Sequence, residues 1–184
     1  MVLGASFEGA LGAAKAGDEW AWALIYRDLA GPVTGYLASR GAREPDDLAA
    51  ETFLQVARNI QSFDGSESAF RSWVFVIAHR RLIDMRRAQA RRPETTSMSS
   101  EGAEQVGGDV EGEAIDQLVT AEMTAAFQRL TEDQRDVLAL RIIANLTLEE
   151  TATVVGKRIG AVKAIQRRAL LALKGHLDVE GVTR

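Results

Sequence analysis

The chain has 184 residues, no cysteine and only two histidines, His79 and His176. A disulfide scaffold, a thiolate metal site and a cysteine nucleophile are therefore excluded, and two histidines in unlike contexts do not predict a metal centre. Hydrophobic residues at 46% and charged residues at 26% predict a packed core, in one medium domain or two small ones, while a net charge of −4 argues at first sight against a nucleic-acid partner.

The stretch Met1 to Gly17 has neither a basic start nor a long apolar core, so no secretory signal is expected. The densest apolar run, Trp73 to Ala78, is too short to cross a bilayer. The expectation is a soluble, cytoplasmic chain.

Asp18 can cap a helix running from Glu19 to about Arg40, with Trp20, Leu24, Leu29, Val33 and Leu37 on its apolar stripe and Gly41 closing it. Pro45 suits the first position of a second helix reaching about Ile60, with Leu48, Thr52, Val56 and Asn59 at helical spacing. Ser62 to Ser68, with Asp64, Gly65 and Ser66, has turn chemistry. A long helix from Ala69 to about Arg91 follows, carrying Phe70, Trp73, Val74 and Ile77 on one face.

Its second half is basic: Arg80, Arg81, Arg86, Arg87, Arg91 and Arg92 lie there against the single acid Asp84. Such a tract can neutralise phosphates while nearby aromatics stack on unpaired bases. Trp73, on the apolar stripe, is equally explained by burial.

Residues 93 to 113 are rich in Ser, Thr, Gly and Glu, without apolar periodicity, and read as a flexible acidic linker. The charge is segregated around it. Residues 1–93 hold 12 bases and 11 acids, residues 94–119 hold seven acids and no base, and residues 120–184 hold 10 bases and 8 acids. The negative total thus belongs to the linker, and the flanking parts are free to bind an anionic polymer through local basic clusters.

Beyond the linker a helix is expected from about Ala114 to Arg129. Thr131 and Gln134 form a capping box for the next helix, which reaches about Ala144. Thr147 and Glu150 form a second box for a short helix ending at Gly156, and a last helix spans Ile159 to about His176. Leu148, Ala152, Val155, Ile159 and Val162 would face the core. A short helix, a glycine turn and a longer basic helix make a helix-turn-helix. Lys157, Arg158, Lys163, Arg167 and Arg168 are its phosphate candidates, and Gln166 is the candidate base reader. No sustained period-two alternation appears, so the expected class is all-α: two small helical domains, 1–92 and 114–184, joined by the linker.

Three segments resemble the extracytoplasmic-function (group 4) sigma factors of RNA polymerase. Asp46-Asp47-Leu48-Ala49-Ala50-Glu51-Thr52-Phe53-Leu54 is similar to that family's D-A-E-D-L-V-Q-E-T-F-L pattern in region 2. The run from Phe70 through Arg71, Trp73, Ile77 and Ala78 to Leu82, Ile83 and Asp84 is similar to F-R-x-W-L-x-x-I-A-x-N-x-x-I-D. Leu130-Thr131-Glu132-Asp133-Gln134-Arg135 with Val137, Leu138, Leu140 and Arg141 is similar to L-P-x-x-Q-R-x-V-L-x-L-R of region 4.

The resemblance implies an alternative sigma factor with no catalytic residues and no cofactor. It implies core polymerase as partner, through the beta' clamp helices and the beta flap, with Asp46, Asp47, Leu48, Glu51 and Phe53 on the clamp side. It implies promoter DNA as the other partner. The −10 element would be melted by Phe63, Asp64, Arg71, Trp73, His79, Arg80, Arg81, Arg86 and Arg87. The −35 element would be held by the helix-turn-helix residues named above. An anti-sigma protein, in some members membrane-anchored, is a further implied partner, and the acidic linker would run through the polymerase cleft.

This sequence departs from the pattern at Arg80, where Asn is common, and at Thr131, where Pro is frequent. It departs again at Gly156 to Ala164, which lacks the Ser cap and Thr contact of G-I-S-x-G-T-V-K-S, so specific −35 base contacts do not carry over. A stand-alone helix-turn-helix regulator is the alternative, but it leaves the first domain's basic tract without a task. No Ser/His/Asp grouping, phosphate-cradling loop or metal spacing supports an enzyme.

Overall fold

The computed structural model describes residues 6–91 and 121–179, all of them in helices or the turns between helices. The expected linker (93–113) and the helix start near 114 lie outside the described residues.

Helix α1, Phe7–Ala16, has no counterpart among the helices expected from the sequence. Its signal is present nonetheless. Phe7, Ala10, Leu11 and Ala14 fall at i, i+3, i+4 and i+7 and are all buried. Gly17, with φ at +92°, ends it in the left-handed conformation that glycine adopts at no steric cost.

Helix α2, Glu19–Ser39, buries Ala21, Ile25, Leu29, Val33, Tyr36 and Leu37. Trp20, expected on this stripe, is 58% exposed instead, because the buried face runs through Ala21 and Ile25. Helix α3, Pro45–Asn59, starts on a proline as expected and passes into a single 3₁₀ turn, Ile60–Ser62. Helix α4, Glu67–Arg91, begins two residues before the expected Ala69. Phe70, Val74, Phe75, Ala78 and Leu82 of α4 close a core against α1, α2 and α3. Trp73 and Ile77 lie at its half-buried edge.

In the second domain residues 121–128 are helical (α5). Helix α6, Glu132–Leu138, follows and runs on through a π-helical turn, Ala139–Ile143. Both capping boxes form: the Thr131 hydroxyl accepts from the Gln134 N–H, and Thr147 accepts from Glu150 ahead of α7, Leu148–Val155. Gly156, at φ +64°, turns the chain into α8, Ile159–Val179. Val137, Ala152, Val162 and Ile165 pack the helix-turn-helix, while Leu130, Leu138 and Ala169 pack the other side of α6. Ile159, expected inside, is 40% exposed, since the first buried residue of α8 is Val162.

The two domains are not independent beads. Ala139, Leu140, Ala144, Leu146 and Val154 of the second domain belong to the same apolar cluster as the first domain's core. Helix α7 lies along α4, and the π-helical turn lies against α2. Gly35 of α2 permits this approach: a Cβ there would sit 3.0 Å from Ile143 Cγ2.

Candidate nucleic-acid interface

Helix α4 carries four kinds of side chain, sorted by face. The first is aromatic. Phe63, from the turn before α4, stacks on Trp73 with ring centroids 5.1 Å apart and planes 29° from parallel, and meets Phe70 edge-on at 5.2 Å. Phe63 and Trp73 are half-buried, so each keeps part of its surface open while Phe70 anchors them. Asp64 beside them is exposed.

The second group is the solvent-facing pair Arg80 and Arg87, seven residues or two turns apart, both exposed and on the helical face that continues Trp73. Asp84 lies between them, 3.9 Å from Arg87, an exposed pair that leaves the guanidinium available to an anion.

The third faces α3. Arg81 donates to Glu51 at 3.2 Å and to Gln55, so an expected DNA contact and an expected polymerase contact are partners of each other. A cleft of about 590 Å³ opens here, lined in part by Asp47, Leu48, Glu51, Arg81 and Asp84. Asp46 and Asp47 are exposed on the first turn of α3, where their charge complements the helix N-terminus. Phe53 is a correction: it is only 7% exposed and packs on Tyr26 at 4.9 Å, so it shapes α3 from within and presents no surface to a partner. Leu54, beside it in the same motif and 57% exposed, is the apolar residue that α3 offers outward.

The fourth faces the second domain and holds three residues expected on DNA. Arg71 donates through Nη2 to the carbonyl of Ala144 at 2.9 Å, at the end of the π-helical turn. Arg86 donates to the Glu132 carboxylate at 2.5 Å and to the carbonyl of Arg40. The His79 ring shares a 2.7 Å hydrogen bond between Nδ1 and the Tyr36 hydroxyl, and burial pushes the imidazole below its ordinary pKa. These residues are turned inward because the second domain covers this side of the helix, a neighbour that helical periodicity within α4 does not reveal.

At the centre of that contact lies a buried ion pair. Arg40 Nε donates to Asp136 Oδ1 at 2.6 Å, the two side chains being 2% and 10% exposed. The Tyr36 hydroxyl stands 3.4 Å from the same oxygen, and burial together with the Asp136 charge pushes the phenol well above its usual range. Arg40 and Asp136 are not among the functional residues expected from the sequence. Neither lies on an apolar stripe, and nothing in a single helix indicates that an acid 96 residues away completes the pair.

On the second domain, Arg158, Lys163, Arg167 and Arg168 are exposed along the turn and α8. Lys157 is tied to Asp133 at 3.0 Å. Gln166 is half-buried in a shallow groove with Lys163, Arg167, Leu170 and Leu171. The outer face of α8 is therefore open and basic. Among the described residues no cluster of His, Cys, Asp or Glu could hold a metal ion, and no helix is long and apolar enough to cross a membrane.

These elements define an all-helical protein of two domains, the second a helix-turn-helix with an open basic face. The sequence matches the family models for Sigma-70 region 2 over residues 25–92 and for Sigma-70, region 4 over residues 126–175. Among curated relatives it is 32% identical over 162 residues to the ECF RNA polymerase sigma factor BldN of Streptomyces coelicolor, a match of 87% of this chain but 61% of that protein's length. It is 30% identical over 167 residues to the ECF sigma factor RpoE of Cereibacter sphaeroides, covering 88% of both. The chain belongs to the extracytoplasmic-function RNA polymerase sigma factors, a family of transcription initiation factors rather than enzymes.

Two solved structures share the fold. CnrH, in complex with the cytosolic domain of CnrY, matches with a TM-score of 0.70 and 22% identity over 94% of this chain and 97% of that one. The sigma factor RpoE, in complex with the anti-sigma factor NepR from Bartonella quintana, matches with a TM-score of 0.65 and 20% identity over 85% of this chain and 96% of that one.

Proposed function

We propose that this sigma factor uses the solvent face of α4 at the −10 element and the outer face of α8 at the −35 element. The observation that carries the assignment is the continuity of Phe63, Trp73, Arg80 and Arg87 on one side of α4. Extruding bases from a duplex costs a few kcal/mol, so a strand-separating surface needs a place to receive a base next to cations that hold the backbone. The Phe63–Trp73 pair supplies the first and the two arginines supply the second. On α8, Arg158, Lys163, Arg167 and Arg168 grip phosphates, and Gln166 is the side chain able to donate to and accept from a base edge.

Asp46, Asp47 and the exposed Leu54 of α3 form the docking face for the polymerase clamp, with Leu48 and Glu51 at its margin beside the cleft. The second domain engages the beta flap. The protein works in the cytoplasm, on the nucleoid, with polymerase.

The test is transcription in vitro with sigma-free core polymerase on genomic promoter fragments. Wild-type protein yields defined start sites, and Arg80→Ala with Arg87→Ala abolishes them while core binding persists. Unchanged initiation by the double variant sinks the −10 assignment. No initiation by wild type, with tight duplex binding by the chain alone, favours the stand-alone regulator.

An anti-sigma protein, membrane-anchored or free, is the further partner we assign. The two solved relatives were each captured with another protein, in one case a named anti-sigma factor. Affinity purification from the native cell identifies it. Recovery with polymerase subunits alone counts against such a partner.

A further inference from the structure

The solvent face of α4 carries one group of the wrong sign for a surface that meets DNA. Asp84 stands between Arg80 and Arg87, one helical turn from each, and its side chain is 72% exposed. A carboxylate on such a surface repels phosphates, so it lowers affinity unless it makes a contact of its own.

Pairing within the protein does not supply that contact. The other acids beside the basic tract each meet a cation at close range: Glu51 meets Arg81 at 3.2 Å, Glu132 meets Arg86 at 2.5 Å and Asp136 meets Arg40 at 2.6 Å. Asp84 lies 3.9 Å from Arg87, too far for a hydrogen bond, and with both partners exposed the pair contributes little. Among the described residues no hydrogen bond reaches either oxygen of Asp84.

We propose that Asp84 is a specificity-determining residue of the −10 surface, accepting a hydrogen bond from the N4 amine of a cytosine. The inference rests on the −10 reading of α4 given above.

The base follows from the chemistry of the acceptor. An ionised carboxylate accepts and cannot donate. In the major groove guanine and thymine offer it acceptors alone, and adenine sets its N7 acceptor beside its amine. Cytosine presents its amine and no acceptor on that edge. Arg80 and Arg87 reach the flanking phosphates with long side chains, which positions the shorter aspartate between them toward the base edges. About 16 Å of helix axis separates Asp84 from Trp73, so this cytosine is a different base from the one received by Phe63 and Trp73.

The test is competition binding by holoenzyme, reconstituted from core polymerase and the full chain. The probes are duplexes of a promoter from which the wild type initiates, each −10 base pair being replaced in turn by every other. Wild type should favour cytosine at one position by about tenfold. Asp84→Ala should erase that preference: the cytosine duplex loses affinity, while the others hold or gain it as the repulsion disappears. Asp84→Asn should move the preference toward adenine, whose N6 and N7 an amide contacts together.

A wild type indifferent to cytosine at every −10 position overturns the proposal, as does a preference that survives Asp84→Ala. Equal loss of affinity for all duplexes in Asp84→Ala would make the aspartate a support for Arg87 and overturns it too. Loss of core binding does the same, assigning Asp84 to the cleft that it borders with Glu51 and Arg81. If wild type initiates on no fragment, or Arg80→Ala with Arg87→Ala leaves initiation unchanged, it is the underlying reading of α4 that fails instead.

Discussion

Arg40 and Phe70 are both buried, yet their removal should be felt differently. Phe70 is fully buried and its ring contacts Phe7, Phe63 and Trp73 within the first domain. Nothing there can rearrange cheaply, so Phe70→Ala should cost about 3–5 kcal/mol, measured by urea denaturation. Removing one partner of a fixed buried ion pair costs about as much, because the other charge is stranded. Asp136 has an escape. If the domains part, its carboxylate returns to water. Arg40→Ala should therefore lower global stability by less than about 3 kcal/mol and should separate the domains, read as a larger radius of gyration in solution scattering. A destabilisation as large as that of Phe70→Ala with no separation would mean the contact between the domains is a permanent core.

At the scale of elements, the helix-turn-helix is shaped by local devices at the two ends of α7, although Glu150 also accepts a hydrogen bond from Ser68 of the first domain. Thr147 caps α7 through the Glu150 N–H at 3.1 Å, and Gly156 bends the chain at φ +64° with open space around its Cα. Thr147→Ala should cost about 1 kcal/mol by removing the cap. Gly156→Ala should cost a similar amount, about 1–2 kcal/mol, from backbone conformation alone. In a thermal melt each kcal/mol lowers the midpoint by about 2–4 °C for a chain of this size.

Helix α4 divides its labour between faces. Arg80→Ala and Arg87→Ala should leave the melting midpoint unchanged while flattening the salt dependence of promoter binding, by about 0.9 in log–log slope for each phosphate no longer neutralised. An unaltered slope would place those arginines off the DNA.

For the whole molecule, stability should respond to pH through His79. Tyr36 and Arg40 from α2, Arg86 from its own helix, and Glu132 and Asp136 from α6 face the ring, and burial outweighs the two acids in setting its pKa below the ordinary value. A basic group whose pKa is lowered by burial is largely neutral in both the folded and the unfolded chain well above about 6.5 and contributes little there. As pH falls through about 6.5 the unfolded chain takes up a proton that the buried imidazole resists, so stability declines progressively down to the lowered pKa. Stability against urea should thus decline between pH 7.5 and 5.5 more steeply in wild type than in His79→Gln. Equal decline in both would assign the pH response to another group.

Much of this organisation is legible in the chain itself, because it is governed by residues near one another. Capping boxes, proline at the start of α3, glycine at the ends of α2 and α7, and apolar residues at helical spacing all act within a few positions. They specify seven of the helices and the helix-turn-helix, and the quoted motifs point to the family. Even α1 leaves its pattern in Phe7, Ala10, Leu11 and Ala14.

What tertiary structure alone decides is which way the charged faces look. Arg71, His79 and Arg86 share a helix with Arg80 and Arg87, and composition treats all five as one basic tract. Only the docking of a domain encoded beyond position 120 divides the arginines into those that meet solvent and those that meet Ala144 and Glu132, while His79 meets Tyr36 of its own domain. The ion pair of Arg40 with Asp136 has the same origin: desolvation is set by whatever packs on a group in space, and no local pattern records it.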